Sequence, residues 1–375
     1  MYIWQSPQWP AFQVDLAVLA TALSAARYSQ GRAIGMANHL QLVALGELQL
    51  HGWAEEAVAT AQIEGETLQV LSVRASAARR LGLDAGPEQR DARTEATLDV
   101  LQAALLHGPQ ALTHETLWAW QAALFPSGYS GLQAIVTGAY RRHAEPMQIV
   151  TPRLGKPDIV HYQAPDSAQV MAEMTQLLAW FNASLGVTDG LVRAALAHVW
   201  LEAIHPFEDG NGRVGRALAE LALAQDLQTQ QRLWSISKQL WQDRTGYYAQ
   251  LQAVTGQGDL DVTPWVTWFV NCVQAAADST WQHMQVAVQK TRFWTALRER
   301  APELTATQAK AVDKLYDAGP GGFDGGMSTA KYSHLCRVSR ATAYRELSRL
   351  CDLGVLSQSG VGRGTRYALR PEVSS

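Results

Sequence analysis

Apolar residues recur at three- and four-residue spacings along most of the chain, the signature of helices with one buried face. The pattern predicts helices over 14–45 and 54–81, with the Gly- and Pro-bearing stretch Gly82–Arg90 breaking the second run. Further helices are predicted over 91–107, 113–124, 167–185, 189–204, 213–226 and 243–254, with 263–289 and 290–300 after them. One region departs from this period. Met147–Thr151 and Asp158–Tyr162 are short strand-like segments around Pro152–Pro157, which predicts a hairpin. A lone hairpin is marginal, so it either packs on the helices or serves as a binding edge. The fold class is therefore mainly α with one hairpin.

Near residue 300 the character changes. Ala301-Pro302 and the Gly319–Gly326 cluster bracket a helix. Ser328–Leu335 and Val338–Leu350 then resemble the helix pair of a winged helix-turn-helix, with Ser339 placed to cap the second. Gly360–Gly364 and Thr365–Leu369 supply the wing. The expected organisation is an N-terminal helical domain over 1–105, a helical core over 106–290 and a C-terminal module over 301–375.

Composition adds limits. The 375 residues are 47% hydrophobic and 17% charged, as in folded globular proteins. A net charge of −3 gives no general nucleic-acid or membrane signal. Residues 331–370 differ: Lys331, Arg337, Arg340, Arg345, Arg349, Arg363, Arg366 and Arg370 face only Glu346 and Asp352, a local balance of +6. That suits contact with a phosphate backbone; protein contact or homodimer formation is the other reading of the module. Three scattered cysteines, Cys272, Cys336 and Cys351, suggest neither a disulfide framework nor a zinc site. The start carries no basic leader, and the Leu16–Ala26 run is too short for a bilayer, so a cytoplasmic protein without membrane association is expected.

The chemistry concentrates in His205-Pro-Phe-Glu-Asp-Gly-Asn-Gly-Arg-Val-Gly-Arg216. A helix ending near Ile204 meets a Gly-rich turn, and a new helix begins near Arg213. Gly210 and Gly212 permit left-handed backbone and convergent N–H groups, an anion site at a helix N-terminus. Arg213 and Arg216 lie on one helix face and can neutralise a polyphosphate. Asp209 is a hard oxygen ligand suited to Mg²⁺, and His205 can accept a proton near neutral pH. Singly, these read as a helix-stop histidine, turn formers and solvated arginines. About seven specified positions together arise by chance roughly once in a billion trials.

This segment resembles the Fic signature, His-x-Phe-x-(Asp/Glu)-Gly-Asn-Gly-Arg-x-x-Arg, at every specified position, and the similarity extends over roughly 55–275. The resemblance implies a protein adenylyltransferase that moves AMP from ATP to a Ser, Thr or Tyr hydroxyl of a protein target, itself included, and releases pyrophosphate. It implies His205 as general base, Phe207 as loop anchor and Asp209 as the Mg²⁺ ligand. Asn211 with the N–H groups of Gly210 and Gly212 would hold the α-phosphate, Arg213 the β-phosphate and Arg216 the γ-phosphate. The hairpin 147–162 would be a flap that pins the protein target as an added strand. Tyr247 and Tyr248 fall where relatives line the adenine pocket; core tyrosines are the equal alternative.

Upstream, Thr60-Ala-Gln-Ile-Glu64-Gly65 matches the family's inhibitory pattern. Helix spacing puts Thr60 one turn before Glu64, where its hydroxyl can steady the carboxylate. The resemblance implies that Glu64 pairs with Arg216 and keeps the enzyme off. Two alternatives stay open: removal of AMP from a target with the help of Glu64, and a nucleotide-sensing transcriptional regulator that binds DNA.

Overall fold

The computed structural model describes residues 1–40, 42–86, 90–151, 153, 157, 159–319 and 326–370. Asp158, most of the expected hairpin turn, and Gly321, Gly322 and Gly325 of the glycine cluster lie outside the described residues. In chain order the elements are α1 (Leu16–Ala37), α2 (Leu42–Ile63), α3 (Val70–Arg80), α4 (Ala92–Leu106), α5 (His114–Leu124), β1 (Tyr129–Ser130), β2 (Gln133–Ala134), β3 (Gln148–Thr151) and β4 (Ile159–Gln163). They continue as α6 (Ser167–Ala183), α7 (Gly190–Ile204), α8 (Asn211–Leu227), α9 (Ile236–Gln242), α10 (Arg244–Thr255), α11 (Thr263–Arg300), α12 (Ala306–Asp317), α13 (Thr329–Cys336), α14 (Arg340–Asp352), β5 (Leu356–Ser359) and β6 (Arg366–Leu369). The protein is mainly helical, as its hydrophobic period requires. Packing divides it into two compact units, residues 1–281 and 282–375.

At the centre of the first unit lies α7, every residue of which is buried. Asp189 caps its N-terminus by accepting from the Leu191 and Val192 N–H groups. Helix α8 packs along α7 and is itself buried from Asn211 to Ala224, except for Gly212. A helix buried on all sides needs partners all round. Helices α2, α3 and α4 supply one flank, joining Leu50, Trp53, Val73, Leu98 and Leu101 to Ala224 in a shared core.

Two helix breaks differ from those the sequence predicts. Helix α1 stops at Ala37, whereas α2 runs unbroken from Leu42 to Ile63 through Gly46 and Gly52. Those glycines are helical and serve close packing. A Cβ on Gly52 would stand 3.0 Å from the Arg232 carbonyl oxygen, and one on Gly46 would stand 3.0 Å from Leu83. The real stop is Gly65, whose φ of 76° ends α2 directly after Glu64. Likewise 263–300 is one helix, α11, not two. The short α9 and the β1–β2 ribbon carry too few residues to register a period.

Strands β3 and β4 pair antiparallel, with Gln148 opposite Gln163, Thr151 opposite Ile159 and a bulge between Ile149 and Val150. Ile149, Val150, Ile159 and Val160 are exposed. Tyr162, by contrast, is buried and donates its hydroxyl to the Ala203 carbonyl oxygen at 2.5 Å, tying the hairpin to α7. The N-terminal arm docks beside it. Trp4 Nε1 donates to the Gln163 carbonyl at 2.7 Å and Trp9 Nε1 to Glu173 at 2.7 Å.

The second unit has the arrangement of a winged helix, with α12, α13 and α14 closed by the β5–β6 hairpin and a bridge from Met327 to Tyr367. Ser339 caps α14 by accepting from the Thr342 N–H. Val312, Tyr332, Leu347, Val355 and Tyr367 fill its core. No helix among the described residues is long and apolar enough to cross a membrane.

One buried polar contact holds α2 against α9. Glu56 is fully buried; it accepts from the Ser235 hydroxyl at 2.7 Å, the Ser237 N–H at 3.1 Å and the Ser237 hydroxyl, with Arg232 4.0 Å away. Removing one member leaves buried donors without a partner. Glu56→Ala is expected to lower stability by about 3 kcal/mol in a urea melt followed by circular dichroism, against about 1 kcal/mol for Ser235→Ala.

Candidate active site

Residues 205–210 turn the chain from α7 into α8, and their backbone is unusual at two places. His205 has a φ of 50°, left-handed for a residue with a side chain, and Gly210 has a φ of 92°. The first costs about 1 kcal/mol per residue and must be held by its neighbours. Arg141 does much of this. Its Nε donates to the His205 carbonyl at 2.8 Å, and its Nη2 donates to the Pro165 and Ile204 carbonyls at 2.5 and 3.3 Å. Gly210 needs its missing side chain, because a Cβ would lie 2.9 Å from the Phe125 ring. Gly212 differs from the expectation: it is helical, not left-handed.

The loop is clipped from within. Asn211 Oδ1 accepts from the Phe207 N–H and its Nδ2 donates to the Phe207 carbonyl, both at 2.9 Å. Phe207 is fully buried against Tyr140, ring centroids 5.4 Å apart. The variable position Glu208 also takes part, accepting from the Val136 N–H at 2.9 Å. Asp209 faces the loop opening. Its carboxylate accepts from the Ser130 hydroxyl and from the Gly210 N–H, and lies 3.9 Å from Arg213.

Both arginines of the motif are occupied. Arg216 is buried; its Nε donates to the Thr60 hydroxyl at 2.8 Å, and its Nη2 donates to Glu64 at 2.7 Å and to the Thr60 carbonyl at 3.2 Å. Thr60 thus steadies the arginine, where helix spacing suggested that it would steady Glu64. The Glu64 carboxylate lies over the first turn of α8, since a Cβ on Gly212 would be 2.4 Å from its Oε1. Arg213 donates to Glu66 at 3.0 Å and lies over the Phe125 ring. Glu66, Arg141, Ser130 and Glu202 fall outside the motif and its brake, and nothing in their spacing marks them.

These contacts set the charges. Burial alone would raise Glu64, but Arg216, then Arg213 and His205, hold it below the usual carboxylate range. Arg216 is held above its ordinary value, Glu64 outweighing the effect of burial. Burial, aided by the Arg141 charge, draws His205 down to about 4, so its imidazole is neutral at neutral pH. Burial pushes Glu202 up to about 7, against the pull of Arg216.

Tyr247 and Tyr248 part company. Tyr247 is buried, its hydroxyl 2.8 Å from His198 Nε2 and its ring stacked near Trp268. Tyr248 is exposed, and its hydroxyl donates to the Ile63 carbonyl at 3.1 Å, at the end of the helix that delivers Glu64. A cavity of about 490 Å³ opens beside the loop, with Glu66, Phe125, Ser130 and Arg213 on its wall. Among the described residues no three His, Cys, Asp or Glu side chains gather into a metal cage. A single carboxylate such as Asp209 fits a Mg²⁺ whose remaining ligands are phosphate and water.

A clipped loop at the N-terminus of α8, set between two buried core helices, is the feature that the comparisons share. Residues 111–223 match the Fic/DOC family model and residues 2–83 match a domain of unknown function, DUF4172. Residues 111–223 are thus similar to Fic/DOC domains, and the helical segment before them to DUF4172. The chain is 30% identical over 147 residues to protein adenylyltransferase fic-1 of Caenorhabditis briggsae, covering 39% of this chain and 26% of that protein. It is 34% identical over 115 residues to protein adenylyltransferase Fic of Culex quinquefasciatus, 30% of this chain and 21% of that protein. The match therefore spans about a quarter of the length of these curated relatives. A Fic family protein from Desulfovibrio desulfuricans G20 shares the fold with a TM-score of 0.51 at 19% identity, over 93% of this chain and 96% of that one. A Fic domain containing signaling protein from Bacteroides thetaiotaomicron VPI-5482 gives 0.52 at 17%, over 70% and 98%.

The Glu202 carboxyl is pushed from 4.5 to about 7 in the folded protein, so the native state holds its proton while the unfolded chain has lost it. Stability from this group is full below pH 4.5 and declines as pH rises towards 7. His198 and His205, both drawn down to about 4, act in the opposite sense. Comparing Glu202→Gln with the parent removes the Glu202 contribution while both histidines stay in place. The variant is expected to gain up to about 3 kcal/mol on the parent between pH 4.5 and 7.5, read from paired urea melts.

Proposed function

We propose that this protein is a self-inhibited protein adenylyltransferase that transfers AMP from ATP to a protein hydroxyl, its own included. The observation that carries the reading is the Glu64–Arg216 pair at 2.7 Å, a carboxylate from α2 seated on the motif's last arginine. The same buried cation is the natural partner of a terminal phosphate. In this reading ATP lies along the N-terminus of α8, with the N–H groups of Gly210, Asn211 and Gly212 on the α-phosphate, Arg213 on the β- and Arg216 on the γ-phosphate. Asp209 would hold Mg²⁺, which supplies charge neutralisation on the phosphates.

His205 takes the proton of the target hydroxyl as its oxygen bonds to the α-phosphorus. The bond from that phosphorus to the bridging oxygen breaks, and pyrophosphate leaves. The neutral state of His205 at physiological pH supports this role. The β3–β4 hairpin has only two strands, which leaves outer edges for an extended target segment. Its exposed β-branched side chains are suited to flank such a strand. Tyr248, rather than the buried Tyr247, is the tyrosine open to a base.

A second reading concerns the C-terminal unit. Arg337, Arg340, Tyr344 and Arg345 are exposed at and along α14, the second helix of the pair, which favours DNA contact there. A nucleotide-sensing regulator is the function that this reading would add. Arg340→Ala/Arg345→Ala in the full chain is expected to weaken retention of a DNA library at least about tenfold at low salt; unchanged retention would count against it.

Transfer is tested with ATP labelled at the α- or the γ-phosphate. Label is expected on protein from the α position only, to be absent in His205→Ala, and to rise at least about tenfold in Glu64→Gly. Arg213 is also occupied, so Glu64→Gly/Glu66→Gln is expected to exceed Glu64→Gly at low ATP. Label from the γ position alone, or no gain in Glu64→Gly at saturating Mg-ATP, would overturn the reading.

A further inference from the structure

We propose that Glu202 is a positioning residue for His205: its backbone carbonyl accepts the Nδ1–H, its carboxylate lies close enough to stabilise the ring once protonated, and Nε2 is so presented as the proton acceptor. Glu202 and His205 lie three residues apart at the end of α7. One carboxylate oxygen, Oε2, stands 3.8 Å from His205 Nδ1, and both side chains are largely buried. The Glu202 carbonyl is 3.4 Å from the same nitrogen, so both the carbonyl and the carboxylate of this residue lie on the Nδ1 side of the ring.

Glu202 is otherwise poorly partnered. Its Oε1 is buried and has no hydrogen-bond partner. Arg216 is the cation that attracts it, yet that guanidinium gives its hydrogen bonds to Thr60 and Glu64. A buried carboxyl with an unmet oxygen is costly unless it has a use. The groups around it are His198 on α7, His205 just after it, Arg216 on α8, Glu64 at the end of α2, Tyr247 on α10 and Tyr162 on β4; Arg141, Glu64 and Asp209 also act on His205. Of the anions, Glu64 is engaged with Arg216 and Asp209 with Ser130 and the Gly210 N–H.

The chemistry follows from charge. When His205 takes a proton at Nε2 it becomes an imidazolium in a buried site, and an anion at Nδ1 stabilises that cation. No proton need move to Glu202. The ring is also fixed as the Nδ1–H tautomer before reaction. Because burial lifts the carboxyl to about 7, this support is present above neutrality and fades as pH falls. The inference rests on the transfer reading above for its catalytic consequence, whereas the contact itself can be tested without any turnover.

The contact is read by nitrogen NMR of the histidine rings in the full, nucleotide-free protein, with His205→Ala assigning the signal. The parent is expected to show a step in the His205 ring shifts near pH 7, reporting Glu202, and Glu202→Gln to lose it. No step in the parent, or the same step in both, overturns the proposal. In the Glu64→Gly background, Glu202→Gln is expected to lower kcat at least about tenfold with KM for ATP unchanged, and to move the acid limb of the kcat profile to lower pH. A fall in kcat without movement of that limb marks a structural role only and also overturns it. Absence of AMP transfer from Glu64→Gly strikes the transfer reading alone, and the ring shifts still decide the contact.

Discussion

A guanidinium buried at the start of α8 cannot be left alone, because an unpaired charge there costs several kcal/mol. Arg216 is in that position, and in this protein Thr60 and Glu64 meet the need. Much of the N-terminal architecture serves that contact. Helix α2 runs through two glycines so that it can lie close to the core, is pinned by Glu56 to the segment before and within α9, and stops at Gly65 just after the carboxylate. In the reading proposed above, one cation with two candidate anions, an internal carboxylate and a ligand phosphate, would make a gate without a moving domain.

The loop beneath it is fixed by other means. Left-handed His205 is an unfavourable conformation that persists because Arg141 grips its carbonyl and that of Ile204 before it. The amide of Asn211 closes the turn on Phe207 from inside. In the proposed reading, a loop held this firmly would need little reorganisation when a phosphate arrives.

Much of this was legible in the sequence, for a physical reason: helical period, turn glycines and the motif's charged residues are local signals. The winged helix could be read because its caps and its wing glycines are local too. Legibility failed where a residue's role depends on contacts far along the chain. Gly46 and Gly52 look like helix breakers and are helical, because what they face is Leu83 and Arg232. Arg141 and Glu66 look like ordinary surface charges until the fold brings them to the loop and to Arg213. The same applies to the tyrosine pair, where only packing separates buried Tyr247 from exposed Tyr248.

The two positions between the motif arginines, Val214 and Gly215, are free in the signature, yet Gly215 is not free here. A Cβ at that position would stand 3.0 Å from Glu202 Oε1 and 3.1 Å from His198 Nδ1. The glycine on α8 and the acid on α7 therefore fill one small volume between them. A larger residue at 215 would have to displace one or both of these side chains by a few tenths of an ångström, so a position that the signature leaves free is constrained here from the neighbouring helix.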